Sequence, residues 1–485
     1  MIKLPAIYAC HLLVAVLLVL SPLESRAANH FILPSPGGVS GTTGADWAHA
    51  CSDFTGNCAP GSLVRGDTYY VGGGTYAGGY SFSKANSGTS TITIMGCAST
   101  DSTCTAESGW NASYAVDSTP ASFPSSANCG SYPGCRAMYF NSGYWVIDGA
   151  VHGSSSSTGY GFQFPAPTCS SSYGMNTIQF DIGGDHDTIQ NAALAACSGD
   201  YPKPAIILGN TSQSAIYNDN VAYLYLTGFQ DDFQIYGLNN GIIEHVYGTN
   251  HFSSGGNHGT PVDMFSWTNG IFRYNVYTQC NGTGCMETNV TGSGVSLNGA
   301  EIYGNVFAPG SGVANGVIVG SQTAIINSLV YNNTFDLTSA PVSWWWNTDS
   351  GYCNAQCQTG GNVLYNNIVW SGTCTPDGHA PTPTHDYNTY LSCSDTPPSE
   401  THGQTGSWNP FVNSGGGNYN LANAPVSNCN STGAICGGIN EGSLYTTDIV
   451  GDPYGANGQW ERGAYAYLDP PGQPAPPTDL NAVVQ

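Results

Sequence analysis

The sequence Phe272-Arg273-Tyr274-Asn275-Val276-Tyr277 recurs as Ile302-Tyr303-Gly304-Asn305-Val306-Phe307, Val330-Tyr331-Asn332-Asn333-Thr334-Phe335 and Leu364-Tyr365-Asn366-Asn367-Ile368-Val369. These copies follow one another at offsets of 30, 28 and 34 residues. A recurrence of this period marks a solenoid, whose units bury their apolar side only by stacking on one another. Because apolar and polar residues alternate within each copy, the units are short strands rather than helices. The sequence therefore predicts an all-β chain wound into a single right-handed parallel β-helix.

The two ends of the chain differ in composition from its repetitive middle. Residues 1–27 combine a weakly positive start, an apolar stretch and small residues at a cleavage position, which predicts a signal peptide. The apolar stretch is short for a membrane span, so we expect a secreted, extracellular chain; a retained N-terminal anchor is the alternative. Residues 28–468 are predicted to form the β-helix domain, and residues 469–485 a Pro-rich linker.

Cysteine usage is typical of an exported chain. Cleavage would remove one of the 17 cysteines, Cys10, and leave an even number, which favours disulfides. Zinc binding is the alternative, because Cys353 and Cys357 have a zinc-like spacing, but no second pair of matching spacing follows. We predict that near neighbours pair and tie loops to the coils: Cys51–Cys58, Cys97–Cys104, Cys129–Cys135, Cys169–Cys197, Cys280–Cys285, Cys353–Cys357, Cys374–Cys393 and Cys429–Cys436.

Positive charge is scarce in this sequence. The chain has 8 Lys and Arg against 31 Asp and Glu, a formal net charge of −23. Proteins that bind nucleic acids neutralise phosphates with many basic residues, so the composition argues strongly against that class of function. The same imbalance argues against tight binding of a polyanion, unless a divalent cation bridges the charges.

Motifs at the two ends of the predicted solenoid resemble a known group of proteins. The chain opens with Arg65-Gly66-Asp67-Thr68-Tyr69-Tyr70 and Gly74-Thr75-Tyr76, and closes with Arg462-Gly463-Ala464-Tyr465. With the Asn-bearing coils, these motifs resemble secreted bacterial right-handed parallel β-helix repeat proteins of the pectate-lyase-like superfamily. The resemblance implies a groove for an extended glycan on the outer face of one sheet. It leaves the reaction open, because such proteins include lyases, hydrolases, epimerases and non-catalytic surface proteins.

Alignment of the coils predicts which side chains meet across a coil step. An offset of 29 residues brings Glu244 beside Arg273, and Tyr303 follows on the next coil. The pair is either a surface salt bridge or part of a glycan site. The repeated asparagines are assigned a structural role, because stacked Asn side chains can hydrogen bond along a solenoid: Asn275, Asn305, Asn333 and Asn367.

Polar residues are densest between Asp231 and Asp263. Two carboxylates on adjacent coils can have their pKa values pushed apart, as general acid and base roles require. The alternative is that Asp231 and Asp232 turn the chain while His258 fills a loop. We predict catalytic roles for Asp232, His258, Asp263 and Arg273, and substrate binding by Asp231, Glu244, His251, Tyr303 and Trp345.

Two further features bear on the site. Hard oxygen ligands suit Ca²⁺, which Asp231, Asp232, Asp263 or Glu287 could hold for a lyase, although no calcium-loop motif is present. Three successive residues, Trp344-Trp345-Trp346, cannot all point inward from one strand, so at least one is expected to be exposed.

The leading hypothesis is a monomeric extracellular enzyme that binds and cleaves an extended polysaccharide as a lyase or glycoside hydrolase. Its groove is expected to lie along the coils from about Asp231 to Arg273. The alternative is a non-catalytic, adhesive surface protein. One geometric criterion separates the two: the four predicted catalytic residues converge in an open groove only in the enzyme.

Overall fold

The chain forms a parallel β-helix, as the sequence predicts. The computed structural model describes residues 27–35, 43–124, 136–166, 178–180, 184–196, 204–209, 216–251, 259–289, 297–320, 323, 325–340, 342–347, 360–378, 383–427 and 433–467. Within these ranges, 22 strands form one parallel sheet, 13 form a second, and the last two pair antiparallel. The strands in chain order are β1 (Asn29–Leu33), β2 (Cys51–Ser52), β3 (Thr68–Val71), β4 (Gly74–Thr75), β5 (Tyr80–Phe82), β6 (Ile92–Gly96), β7 (Ala121–Ser122), β8 (Met138–Phe140), β9 (Trp145–Asp148), β10 (Phe162–Phe164), β11 (Ile178–Phe180), β12 (Thr188–Ala195), β13 (Ile206–Leu208), β14 (Ile216–Tyr217), β15 (Asn220–Thr227), β16 (Phe233–Asn239), β17 (Ile242–Thr249), β18 (Val262–Thr268), β19 (Ile271–Arg273), β20 (Val276–Thr278), β21 (Met286–Thr288), β22 (Leu297–Asn298), β23 (Glu301–Tyr303), β24 (Val306–Ala308), β25 (Gly316–Gly320), β26 (Ile325–Ile326), β27 (Leu329–Tyr331), β28 (Thr334–Asp336), β29 (Ser343–Asn347), β30 (Val363–Tyr365), β31 (Ile368–Trp370), β32 (Asp377–Gly378), β33 (Thr384–Asp386), β34 (Thr389–Leu391), β35 (Gln404–Gly406), β36 (Phe411–Asn413) and β37 (Asn418–Leu421).

Helices are few and short. One α-helical turn, α1 (Ser102–Thr105), lies in a loop that the Cys97–Cys104 disulfide closes. The 3₁₀ turns of the described chain are Trp47–His49, Gly56–Cys58, Ala112–Tyr114 and Ser414–Gly416. None of these described helices is long and apolar enough to cross a membrane.

Each coil supplies strands to both parallel sheets. The coil that starts at Ile271, for example, gives β19 and β20 to the larger sheet and β21 and β22 to the smaller one. The larger sheet bends at a corner between its two strands. The predicted alignment is confirmed, because a single column of fully buried side chains runs through successive coils in register: Ile243, Phe272, Ile302, Val330 and Leu364.

Buried asparagines line the corner of the larger sheet. Asn275 Oδ1 accepts the backbone N–H of Val246 at 2.9 Å, while its Nδ2 donates to the Ile243 carbonyl at 3.1 Å and to Asn305 Oδ1 at 3.0 Å. The side chains thus satisfy backbone groups that the corner takes out of the strand ladder. The predicted structural role is confirmed, and the asparagine ladder comprises Asn275, Asn305, Asn333, Asn367 and Asn388.

Carboxylates take the equivalent position at another corner. Asp187 Oδ1 accepts the Trp145 N–H at 2.7 Å, and Asp219 Oδ1 accepts the Asp187 N–H at 2.9 Å. Both side chains are buried, and their Oδ2 atoms have no hydrogen-bond partner within the described residues. Burial raises the pKa of both carboxyls well above the usual value, and the charge of Asp219 raises that of Asp187 further.

Four predicted disulfides are present in the described chain: Cys51–Cys58, Cys97–Cys104, Cys280–Cys285 and Cys374–Cys393. The remaining predicted pairs each include a residue outside the described ranges.

Residues 433–467 form an irregular segment, the C-terminal cover, over part of the outer face of the larger sheet. The buried Arg462 donates to the carbonyls of Asn388 and Gly437, both at 2.9 Å. Within this segment, residues 459–467 form no strand. Their N–H groups bond corner groups instead: Gly463 donates to the Asn366 carbonyl at 2.8 Å.

Replacing Asn305 with Ala should destabilise the fold strongly. The change leaves the Asn275 N–H and the Phe272 carbonyl buried without their partners. At about 1–3 kcal/mol for each unsatisfied group, we expect a loss of about 3 kcal/mol, measured as a lower denaturation midpoint by circular dichroism. The exposed Asn315 provides the control, and Asn315→Ala should change little. Equal midpoints for the two variants would contradict the role of the ladder.

The Asp187–Asp219 stack should make the protein less stable as pH rises. The pKa of each carboxyl is higher in the folded state than its unfolded value of 3.8. Such a group contributes most to the stability of the fold below pH 3.8, and this contribution is lost as the pH rises through the folded-state pKa. Asp219→Asn cannot ionise and should flatten the decline of melting temperature between pH 4 and pH 9. Glu107→Gln, outside the stack, should keep the wild-type slope. A wild-type melting temperature that increases throughout this range would disprove the expectation.

Candidate functional site

Arg273 lies between Glu244 and Tyr303 on successive coils, as the alignment predicts. Its Nε is 2.6 Å from Glu244 Oε2, and its Nη1 donates to Tyr303 Oη at 2.9 Å. Burial alone would lower the pKa of Arg273, but the contacts with Tyr303 and Glu244 outweigh burial and raise it. The two charged side chains are 29% and 23% exposed, so the predicted contact is a surface ion pair worth under about 1 kcal/mol.

Aromatic side chains stack beside this ion pair. The ring centroids of Tyr223 and His245 are 4.5 Å apart, and those of His245 and Tyr274 are 5.3 Å apart. His152, from a loop, stacks on Tyr223 at 4.5 Å. These four residues form an aromatic ladder that runs along the coils, with one ring from each of three successive coils.

Three rings of the aromatic ladder occupy strained corner positions. Tyr223, His245 and Tyr274 have φ angles of 53°, 52° and 58°. This left-handed conformation is an outlier for bulky residues and costs on the order of 1–3 kcal/mol. Tyr387 is strained in the same way, so strain alone does not mark a site. At the same corner, other coils carry the residues that tolerate it: Asn191, Gly304, Asn332 and Asn366.

A cleft of about 500 Å³ opens along the aromatic ladder. One wall is the loop at Gly153 and Ser154, and another is the turn 447–451 of the C-terminal cover. Tyr160 and Tyr247 complete the lining. Burial lowers the pKa of His245 to about 4, against the opposing charge of Glu244, so this imidazole is neutral over most of the pH range. This aromatic cleft has the size and lining of a small-molecule site.

The C-terminal cover closes the face beyond Tyr274. Tyr303 and Tyr331 point out of the coils, but both pack against Tyr445 and are only 1% and 3% exposed. The expectation that Tyr303 offers a surface to a glycan is therefore wrong in this structure.

Asp232 and His251 form a buried pair. Asp232 Oδ2 lies 2.8 Å from His251 Nε2, and both side chains are fully buried. Burial raises the pKa of Asp232, and His251 lowers it in part. A Cβ added to Gly248 would lie 2.6 Å from the Asp232 carboxylate, so the pair fills a tight interior position. Neither side chain lies in the open groove that we expected.

A second group of acidic residues lies at the smaller sheet and consists of Asp231, Asp263 and Glu287. Register places Asp263 beside Gln234 on the preceding coil and beside Glu287 on the next. Gln234 Nε2 donates to Asp231 Oδ2 at 2.8 Å, and Thr260 donates to Glu287 Oε2 at 2.9 Å.

The pKa of Asp263 is strongly perturbed. Burial, followed by the charges of Asp231 and Glu287, raises its pKa well above the usual value. Its Oδ1 has no hydrogen-bond partner in the part of the chain that the structure describes. The raised pKa favours the protonated form of Asp263.

The predicted catalytic residues do not come together. Asp263 lies in the smaller sheet and Arg273 in the larger one, because the chain turns between β18 and β19. Asp232 is interior, and His258 lies outside the described residues. The described members of the set thus occupy different faces, which by our criterion favours the non-catalytic alternative. Their catalytic roles remain untested.

The tryptophan run is mostly buried. Trp345 is 1% exposed and follows Ile318 in an inward column, so its predicted role as a sugar platform is wrong. Trp344 is also buried, and its Nε1 donates to the Cys374 carbonyl at 2.8 Å. Trp346 is half-buried, so the expected exposure of one Trp is met only in part.

The acidic cluster does not form a compact calcium cage from described residues. Within the described ranges, one group of three has ligand atoms mutually within 4.8 Å, and it consists of Cys374, Cys393 and Asp395. Two of these sulfurs are already joined in a disulfide. The spacing of Asp231, Asp263 and Glu287 thus does not fit a preformed calcium site, and no step is assigned to a metal.

The aromatic ladder was missed by the sequence analysis. One signal was present: Tyr223, His245 and Tyr274 align with positions that carry Asn or Gly in other coils. Aromatic residues at a position that favours Asn or Gly indicate that something other than backbone conformation selects them.

No family model matches the chain, and no curated protein matches its sequence. Among solved structures, the chain is similar to pectate lyase Pel9A, with a TM-score of 0.52 and 13% identity over 92% of this chain and 97% of that one. It is also similar to XylC in complex with xylose (TM-score 0.42, 9% identity, 91% and 98% covered). A mannuronic acid-specific family 6 lyase from human gut microbiota matches at a TM-score of 0.40 (13% identity, 72% and 77% covered). At these identities the likeness to Pel9A shows the fold alone, and it confirms the β-helix that the resemblance implied.

Proposed function

We propose that the protein is an extracellular carbohydrate-active protein that binds an extended polysaccharide in the aromatic cleft. The observation that carries this proposal is the aromatic ladder, in which three successive coils hold a ring at a strained corner beside an open cleft. One ring per coil suits a repetitive ligand that runs along the helix axis. The four disulfides support an oxidising, extracellular setting.

The stacking geometry decides which part of each ring meets the ligand. Tyr223 and His245 lie nearly parallel, with 5° between their ring planes, so each covers a face of the other. Their edges, with the tyrosine hydroxyl and an imidazole nitrogen, are left for the cleft. These groups both donate and accept hydrogen bonds, which suits the hydroxyl groups of sugars.

Hydrolysis of the polymer is a second candidate function, and it is favoured by Asp263 and Glu287. A general acid must hold its proton at the working pH, as the raised pKa of Asp263 allows. Adjacent coils lie about 4.8 Å apart, near the roughly 5 Å carboxylate separation of retaining glycosidases. However, Asp263 and Glu287 are buried, whereas the aromatic cleft is open. Binding is therefore the function that the geometry supports better.

Tyr223→Ala should weaken glycan binding by at least about tenfold, or about 1.4 kcal/mol, because it removes the ring between His152 and His245. Affinity gel electrophoresis against a panel of polysaccharides measures the change. Tyr217 is 46% exposed and absent from the cleft lining, so Tyr217→Ala is the matched control. A folded Tyr223→Ala protein with wild-type affinity would refute the proposed cleft.

If the protein is a hydrolase, Asp263→Asn should reduce the release of new reducing ends by about a hundredfold or more. Asp231→Asn should lower the pKa of Asp263, because it removes a neighbouring charge. Activity needs protonated Asp263, so its decline at high pH should begin at a lower pH in that variant. If the folded protein binds glycan but yields neither reducing ends nor ultraviolet-absorbing unsaturated products, the catalytic candidate is eliminated and the binding function remains.

A further inference from the structure

We infer that the polysaccharide held in the aromatic cleft is built of uncharged sugars, an inference that rests on the proposed binding function. The cleft has few groups that could neutralise an acidic polymer. Arg273 is the only Lys or Arg between residues 204 and 461 of the sequence. A polyuronate carries one carboxylate on every sugar, and burying such charges without a partner is costly.

The guanidinium of Arg273 is already engaged. Arg273 Nε is held by Glu244, and its Nη1 by Tyr303. The ion pair is close enough to act on the aromatic ladder, because the charges of both partners shift the pKa of His245 and of Tyr223. The pair therefore presents almost no net positive charge to the cleft.

Two further titratable groups of the cleft, His245 and Asp448, do not supply a cation. His245 is neutral above about pH 5, because burial lowers its pKa to about 4. Asp448 is an acid, and its carboxylate already accepts the N–H groups of Ala466, Val450 and Asp452 at 2.8–2.9 Å. These bonds hold the wall of the cleft, so Asp448 is not free to bind a bridging divalent cation.

What the cleft offers is suited to hydroxyl groups. The edges of Tyr223 and His245 supply a hydroxyl and a neutral imidazole, which pair with sugar hydroxyls without burying a charge. An uncharged polymer would also avoid repulsion from a chain with a net charge of −23.

The test compares neutral with acidic polymers in the presence of EDTA. We expect wild-type protein to bind a neutral polymer from a set that includes β-glucan, xylan and galactomannan, and not polygalacturonate or alginate. Affinity should be equal in 20 mM and 300 mM NaCl, because salt screens only charged contacts. Wild-type binding of polygalacturonate or alginate in EDTA, lost in Tyr223→Ala, would overturn the inference and leave the proposed function intact. Failure to bind any polymer in the set would overturn both.

A charge variant tests the role of the ion pair directly. Glu244→Gln keeps a polar contact to Arg273 but removes the neutralising charge, so affinity for oligogalacturonate at low salt should increase at least fivefold. Glu301 lies on the same sheet and accepts a hydrogen bond from Tyr331. Glu301→Gln removes one negative charge without exposing a guanidinium, and it should give no increase. Equal affinities of the two variants would overturn the assigned role of the Glu244–Arg273 pair.

Discussion

The asparagine ladder is the constraint on which the rest of the structure depends. A corner in a parallel β-helix takes backbone groups out of the strand ladder, and buried groups of this kind must be satisfied from within. Asn305 does this with one side chain, because its amide bonds the N–H of Asn275 and the carbonyl of Phe272. The side chain that follows the strained corner residue is therefore directed inward, and the corner residue itself is left outside.

This arrangement explains where the aromatic ladder lies. Tyr274 directly precedes Asn275, so the last ring of the aromatic ladder stands beside the first asparagine of the other ladder. In the two preceding coils the inward residues are the apolar Leu224 and Val246, and the outward corner residues are Tyr223 and His245. Two of the three corner rings, Tyr223 and His245, thus accompany coils in which the buried corner residue is apolar, whereas Tyr274 precedes a buried asparagine. The cleft and the core are set by the same backbone turn.

The periodicity of the sequence predicted the features that recur in every coil, but not the contacts that occur only once. The column through Ile243 and Phe272 was predicted in the right register, because inward apolar residues recur once per coil. The coil offset does not tell which sheet a residue joins, so Asp263 and Arg273 were wrongly expected to meet. The burial of Tyr303 depends on Tyr445, which lies far along the sequence, and no local sequence pattern predicts such a contact. Trp345 was misplaced because alternation alone does not identify the inward face.

The C-terminal cover buries one part of the outer face of the larger sheet and forms a wall of the aromatic cleft at another part. Tyr445 of the C-terminal cover packs on Tyr303 and Tyr331. A glycan that ran along the whole face would have to occupy the same space. At its turn 447–451 the C-terminal cover becomes a wall of the aromatic cleft instead. The cleft thus lies beside both the C-terminal cover and the Glu244–Arg273 ion pair, whose charges offset each other. The chain shares a fold with pectate lyase Pel9A. The fold does not fix the ligand, because the charge of the cleft depends on Glu244 and Arg273 rather than on the winding of the coils.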